Sequence, residues 1–196
     1  MAEITVTKNV ESLNVLFNKV KRIYFIATPT KLAELTTIDM ELPVISDGVT
    51  FDTGAPNVTK VKLTTGVTWT SIAEAGDPNI SFQIASIAGD INDTFMNKVS
   101  EQEVFLGGDS TAAAGKTIGG NAYKGSGFNL EPKKVIGSLL MLSEDGEAGI
   151  YMPKVEMYSS LVVENSKPAY YNVTTTPIAM DGAEGSIIPL HKTELK

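Results

Sequence analysis

The sequence predicts a mainly-β fold: an antiparallel β-sandwich or partly rolled barrel with one or two short flanking α-helices and long arms. The first observation is that apolar residues recur at every second position in many segments, which is the period of a half-buried strand. The second is a high content of turn-forming residues, with 17 Gly and 9 Pro. The third is the length, because 196 residues with 42% hydrophobic content suffice for one substantial core and are short for two. We therefore expect a single domain over residues 1–196.

Alternating segments predict the strands of the first half. Ile4 and Val6 alternate with threonines in a short N-terminal strand. Residues 21–27 (KRIYFIA) are rich in β-branched and aromatic side chains, as expected of a core strand. Further strands are predicted at residues 58–64, 67–70 and 80–84.

The second half repeats this pattern. Val135–Ser143 is a more continuous apolar run, which is typical of a strand buried on both faces. Residues 149–158 follow a Glu-Asp-Gly turn signal and form the next predicted strand. Residues 171–175 alternate until Pro177, which cannot donate a hydrogen bond to a sheet.

Two stretches have helical spacing. Residues 9–20 place apolar side chains three and four positions apart, which predicts a short amphipathic helix. Residues 90–99 form the second predicted helix, with Asp90 as its N-cap. Its apolar face consists of Ile91, Phe95 and Val99. Residues 30–42 fit either a helix or an extended arm.

Two long segments carry little strand or helix signal. Residues 30–57 are predicted to form an extended arm. Residues 107–127 contain seven glycines and are predicted to form an exposed, mobile loop. Within this loop, residues 114–117 (AGKT) end like a phosphate-binding loop, but Ser110 stands where that motif needs glycine, and no helix-forming segment follows. We therefore interpret the segment as a loop without a phosphate site.

Residue content argues against catalysis. The chain has no cysteine, and its one histidine, His191, lies near the C-terminus, so a nucleophilic triad or a Cys/His metal site has no residues to build it. We predict a protein that is not an enzyme and binds no cofactor or metal. A hydrolase that uses two carboxylates stays open as an alternative. Trp69 lies in an alternating segment and is expected in a core or an interface.

The charge balance points away from stable nucleic-acid binding. The formal net charge is −7 and the pI is about 4.8, so phosphate groups are repelled. The N-terminus lacks a basic and apolar signal pattern, and no apolar run approaches the length of a membrane span. We expect synthesis in the cytoplasm without a membrane anchor.

Two regions carry a family resemblance. Residues 64–69 (TTGVTW) and 76–84 (GDPNISFQI), followed by the predicted second helix, look like the middle of a tail tube domain. Residues 150–155 (IYMPKV) and Lys167–Pro177 (KPAYYNVTTTP) look like its closing strands. On these segments the chain resembles the major tail tube proteins of long-tailed phages, a superfamily whose architecture the type VI secretion tube shares.

The resemblance implies a structural virion protein. Such proteins assemble into stacked rings, usually hexameric, that form a tube through which DNA passes as non-specific cargo. The implied partners are further copies of the chain, a tape-measure protein and tail-tip or terminator proteins. The implied location is the virion tail, after assembly in the host cytoplasm. An acidic lumen would let DNA slide without binding.

Apolar residues in the predicted arm are the candidate subunit contacts. These are Leu42, Val44, Ile45 and Phe51, together with Ile4 and Val6 of the N-terminal strand. The alternative is that the arm residues cover the protein's own core. For the whole chain, the alternative function is a non-catalytic β-sandwich binding module of the carbohydrate-binding or adhesin-like kind.

Overall fold

A computed structural model describes residues 17–99, 104–105 and 123–193. The described chain contains one α-helix, α1 (Gly89–Phe95), and one turn of 3₁₀-helix at Leu32–Glu34. Its strands are β1 (Val20–Ile26), β2 (Met40–Leu42), β3 (Thr50–Asp52), β4 (Asn57–Lys62), β5 (Thr68–Glu74), β6 (Asn79–Ile84), β7 (Asn97–Lys98), β8 (Val104–Phe105), β9 (Lys124–Gly125), β10 (Phe128–Asn129), β11 (Val135–Ser143), β12 (Ala148–Glu164), β13 (Lys167–Pro177) and β14 (Ile188–His191).

The predicted fold class is confirmed. Strands account for 51% and helices for 7% of the structure, and the sheets are antiparallel, as in a sandwich-like fold. The main sheet has the strand order β2-β1-β11-β12-β13-β6-β3, and β14 pairs with β12. Three separate two-stranded ribbons join β4 with β5, β7 with β10, and β8 with β9.

The described chain divides into two compact units. The first unit consists of residues 17–46, 137–155 and 177–193. Here β1 pairs with β2 on one side and with β11 on the other, and β14 pairs with the first residues of β12. The alternation read from the sequence places one face of each strand inside, as in Ile23 and Phe25 of β1. Large side chains of this unit that are fully buried include Ile23, Leu139, Met141, Tyr151 and Met152.

A buried hydrogen-bond cluster fixes the chain that leaves β1. The backbone N–H of Thr30 donates to Ser138 Oγ at 2.8 Å and to the carbonyl of Pro153 at 3.2 Å. Ser138 Oγ donates in turn to the Pro153 carbonyl at 2.8 Å, and Tyr151 Oη donates to the Thr30 carbonyl at 2.7 Å. Because Ser138 and Tyr151 are fully buried, these bonds satisfy polar groups that would otherwise be costly.

The second unit consists of residues 47–99, 104–105, 123–136 and 156–176. Its sheet joins β13 to β6 and β6 to β3, with Phe82 opposite Val173 in the core. Helix α1 buries Ile91 and Phe95. The Tyr171 hydroxyl donates to Asn92 Oδ1 at 2.6 Å, which ties the helix to β13.

The helix predicted at residues 90–99 is shorter and begins earlier. It starts at Gly89 with Ala88 as N-cap and no side-chain cap, so the prediction of Asp90 as the N-cap was wrong. Its face is formed by Ile91 and Phe95, as predicted, but Val99 is 62% exposed. The helix ends because the next backbone groups, Asn97–Lys98, pair with β10.

Other predicted segments also differ. Residues 17–20 are not helical, and Val20 opens β1, so the helix predicted over residues 9–20 was wrong at its C-terminal end; the rest lies outside the described residues. Residues 30–42 contain only one 3₁₀ turn before β2, which agrees with the extended alternative. Strand β12 is longer than predicted and continues to Glu164. Most of the glycine-rich loop, through residue 122, lies outside the described residues.

Candidate functional site

The hairpin of β4 and β5 is almost entirely exposed to solvent. Every residue of β5 is exposed, and in β4 only Val61 is half-buried. Trp69, the only tryptophan, has 72% of its surface exposed. The hairpin and its turn also expose Val58, Leu63, Val67 and Ile72. Such a concentration of exposed apolar side chains on one element is a mark of an interaction surface.

The turn of this hairpin follows from its sequence. The N–H of Gly66 donates to the carbonyl of Leu63 at 2.8 Å, and the N–H of Leu63 donates to the carbonyl of Val67 at 2.9 Å. These bonds close a three-residue loop whose last residue needs a positive φ, and Gly66 has a φ of +82°. The strands on either side are rich in valine and threonine, which favour extended backbone.

A bulge places Trp69 on a charged face. Val61 pairs with Thr70 and Lys62 pairs with Thr68, so Trp69 is the extra residue between them. By strand alternation it lies on the same side as Lys60. This face, which we call the tryptophan face, consists of Val58, Lys60, Lys62, Trp69, Ser71 and Ala73.

The opposite face of the hairpin is also partly apolar. It carries Ile72, which is 56% exposed, opposite Thr59, and the half-buried Val61 opposite Thr70. A hairpin that packs on its own core buries one face and exposes a polar one. Because this hairpin has apolar side chains on both faces, it is suited to contacts on both sides.

Two glycines at the root fix where the hairpin leaves the sheet. A Cβ atom on Gly76 would lie 2.3 Å from the Ala55 carbonyl oxygen, and one on Gly54 would lie 2.5 Å from the Asp77 carbonyl oxygen. The two chain segments therefore touch backbone to backbone. Asp52 Oδ1 accepts a hydrogen bond from the Gly54 N–H at 2.8 Å, which supports the turn at this crossing.

The exposure of the hairpin was missed from the sequence. The period of two at residues 58–70 is the same for a core strand and for a projecting one, so Trp69 was expected in a core or an interface. In the structure Trp69 is largely exposed, so it does not belong to the core of the chain. The available signal was the pair of Gly- and Pro-containing segments, residues 53–56 and 75–78, which separate the hairpin from the sheet on both sides.

The predicted contact residues of the arm occupy different environments. Leu42 lies in β2 opposite Ile23 and is 2% exposed, so its side chain covers the protein's own core and is not available to a neighbour. Val44 and Ile45 are half-buried. Phe51 is half-buried in β3, the edge strand beside β6. Ile4 and Val6 lie outside the described residues.

Groups that could support chemistry are sparse in the described part of the chain. Residues 17–99 and 123–193 contain no cluster of three or more His, Asp or Glu side chains arranged to hold a metal ion. His191 is exposed and belongs to β14, where it pairs with Ala148, so it lies in a strand rather than in a frayed tail. In the same residues no helix has the length and apolar character that crossing a membrane requires.

Comparison with known proteins adds no assignment: no family model matches the chain, and no curated protein or solved structure is significantly similar to it.

Proposed function

We propose that this chain is a structural subunit that assembles with copies of itself, and that the assembly is a phage tail tube of stacked hexameric rings through which DNA passes. The observation that carries the proposal is the β4–β5 hairpin, which exposes apolar side chains on both faces. The family resemblance of residues 64–84 and 150–177 supplies the kind of assembly. Copies of the chain, a tape-measure protein and tail-tip or terminator proteins are the proposed partners in the virion tail.

The hairpin supports self-association on energetic grounds. A two-stranded hairpin is marginally stable in water unless its faces are covered. Covering the Trp69 and Ile72 side chains would remove apolar surface from water at about 25 cal/mol per Å². A neighbouring subunit that supplies this cover uses a different patch from the hairpin, and repeated contacts of this kind close into rings or extend into filaments.

The acidic balance supports a passage for DNA. The chain has 23 acidic and 16 basic residues, which gives the net charge of −7. A surface of this sign repels phosphate, so DNA can move along it without being held.

A second candidate is favoured by one specific observation. A carbohydrate-binding module presents aromatic rings to solvent, and Trp69 is 72% exposed beside Lys60 and Lys62. Sugar rings stack on such a surface, so a non-catalytic binding module is the alternative function.

Electron microscopy of the purified protein tests the proposal. We expect rings or tubes of uniform diameter, with a central hole wide enough for a DNA duplex, at high protein concentration or after addition of a tail-tip complex as a seed. The double variant Trp69→Ser/Ile72→Ser should lose these assemblies while keeping its β circular dichroism spectrum. Val99→Ser, which changes an apolar side chain exposed to a similar extent outside the hairpin, is the matched control and should assemble normally.

Persistent monomers of the wild-type protein, with and without the seed, would contradict the proposal. If the monomer instead bound glycans on an array, and Trp69→Ser abolished that binding, the carbohydrate-binding module would be supported.

A further inference from the structure

Strand β12 extends beyond the layer that covers it. Residues at every second position of the strand share one face, and on this face Met157 is fully buried and Ser159 is half-buried. The next two residues on the same face are Leu161, 45% exposed, and Val163, 74% exposed. This face of β12 is therefore part of the core at Met157, and further along the strand it exposes the apolar side chains Leu161 and Val163 to solvent.

A neighbouring loop adds to this apolar surface. Leu130 is 95% exposed and lines a groove of about 350 Å³ together with Leu161. The floor of the groove includes Phe95 and Met96 at the end of α1, where Ser159 Oγ donates to the Phe95 carbonyl at 2.8 Å. We call the set of Leu130, Leu161 and Val163 the apolar overhang.

An acidic side chain flanks the apolar overhang. Glu131 follows Leu130, is exposed and lines the groove. Glu164 follows Val163 in β12 and therefore lies on the other face of the strand, where its Oε1 accepts a hydrogen bond from Tyr170 Oη at 3.2 Å. The nearest cation of the groove, Lys133, has its ammonium group directed to the Asp93 carbonyl at 2.6 Å.

We propose that the apolar overhang is the docking site for the β4–β5 hairpin of a second copy of this chain. The inference rests on the proposed self-assembly and specifies which two surfaces meet. The tryptophan face combines Val58 and Trp69 with the cations Lys60 and Lys62. The overhang combines three apolar side chains with Glu131 at the groove, so the two surfaces match in apolar character, and Glu131 offers a carboxylate to the lysines of the tryptophan face.

Both surfaces are exposed in one chain at the same time. Each copy can therefore dock its hairpin on one neighbour and bind the hairpin of another neighbour at its overhang. The contact is heterologous, because it joins two different surfaces. A subunit that has docked its hairpin still has a free overhang, so addition continues until a ring closes or a filament forms.

Complementation between two defective variants tests this arrangement. Val58→Ser/Trp69→Ser lacks a working tryptophan face and keeps its overhang, while Leu161→Ser/Val163→Ser lacks the overhang and keeps its hairpin. Each variant alone should remain monomeric in analytical ultracentrifugation. An equimolar mixture should form a one-to-one dimer and stop there, because only one productive contact is left.

Cysteine trapping locates the contact, since the natural chain has no cysteine. Ser71→Cys places a thiol on the tryptophan face, and Ser160→Cys places one at the groove. Under mild oxidation we expect their mixture to yield at least tenfold more mixed disulfide than Ser71→Cys with Ser46→Cys, an exposed serine of the first unit.

Three results would overturn the inference. Ser71→Cys alone could cross-link as efficiently as the mixture, which would indicate a hairpin-to-hairpin contact. Leu161→Ser/Val163→Ser could lower the thermal midpoint of the monomer and leave association intact, which would mean that the overhang is covered within the chain. The mixture could also give no excess over the control. If rings still form in that last case, only the docking site is wrong; if they do not, the proposed function fails with it.

Discussion

Thr175 is a buried residue whose polar group has no partner. Its side chain is 1% exposed on the core face of β13, and among the described residues Oγ1 makes no hydrogen bond. Its neighbours on this face, Tyr171 and Val173, are buried as well. A buried hydroxyl without a partner carries a desolvation penalty that a methyl group of similar size does not.

We predict that Thr175→Val raises the free energy of unfolding by about 1 kcal/mol. Thr174→Val, at an exposed position of the same strand, is the control and should change it by less than about 0.5 kcal/mol. Urea titration of both variants measures the difference. A loss of stability in Thr175→Val would mean that the hydroxyl has a partner in solution.

Single residues also mark the limit of prediction from the sequence. Leu42 was a candidate contact because it is an apolar residue in a segment that otherwise reads as a loop. The structure pairs it with Ile23. Trp69 was expected in a core or an interface because of its period, and its 72% exposure removes the core alternative. The alternation of apolar and polar residues predicts on which face of a strand a side chain lies. It does not predict whether that face is covered by the protein's own core, by another subunit or by solvent.

At the scale of elements, the long strands follow their sequence. β6 and β11 lie where they were predicted, because strict alternation and a continuous apolar run are strong signals. The predicted C-terminal end of the helix was wrong because the backbone of Asn97–Lys98 forms a two-stranded ribbon with β10 instead of continuing the helix. Strand β10 lies about 30 residues further along the chain, so the pattern of residues 90–99 alone could not predict this pairing.

The root of the β4–β5 hairpin yields a prediction about one element. Gly76→Ala introduces a Cβ atom 2.3 Å from the Ala55 carbonyl oxygen, so the two chain segments must separate. We expect a loss of about 1–3 kcal/mol in the free energy of unfolding, as for other overpacked sites, and weaker self-association because the hairpin changes direction. Chemical denaturation and sedimentation measure the two effects.

Gly89→Ala is the matched control for this substitution. A Cβ atom at Gly89 meets nothing within 4 Å, and the residue opens α1, where alanine favours the helix. Its stability should be unchanged or slightly higher. Equal stability and association for Gly76→Ala and Gly89→Ala would show that the root tolerates a side chain.

At the scale of the whole molecule, three tyrosines make the free energy of unfolding depend on pH in the alkaline range. Burial raises the pKa of Tyr151 and of Tyr171 above the ordinary value for tyrosine. Burial also raises the pKa of Tyr170, with a further increase from the hydrogen bond and charge of Glu164. In the unfolded chain these hydroxyls lose their protons near pH 10, so above this pH the unfolded state binds fewer protons than the folded state.

The contribution of these tyrosines to the free energy of unfolding should therefore be complete below about pH 10. It should decrease as the pH rises through their folded-state pKa values. Urea unfolding at pH 8, 9, 10 and 11 measures this slope. Tyr171→Phe should make it shallower, whereas Tyr123→Phe, which alters a largely exposed ring, should leave it as in the wild type. Identical slopes for all three proteins would contradict the assignment.

The position of the single tryptophan has a consequence for spectroscopy. Trp69 is already in water in the folded monomer, so its emission should change little when the core unfolds. Docking of the hairpin against another subunit would move the indole from water into an apolar contact and shift its emission to shorter wavelength. The chain thus carries an intrinsic fluorophore that is silent to folding and responsive to assembly.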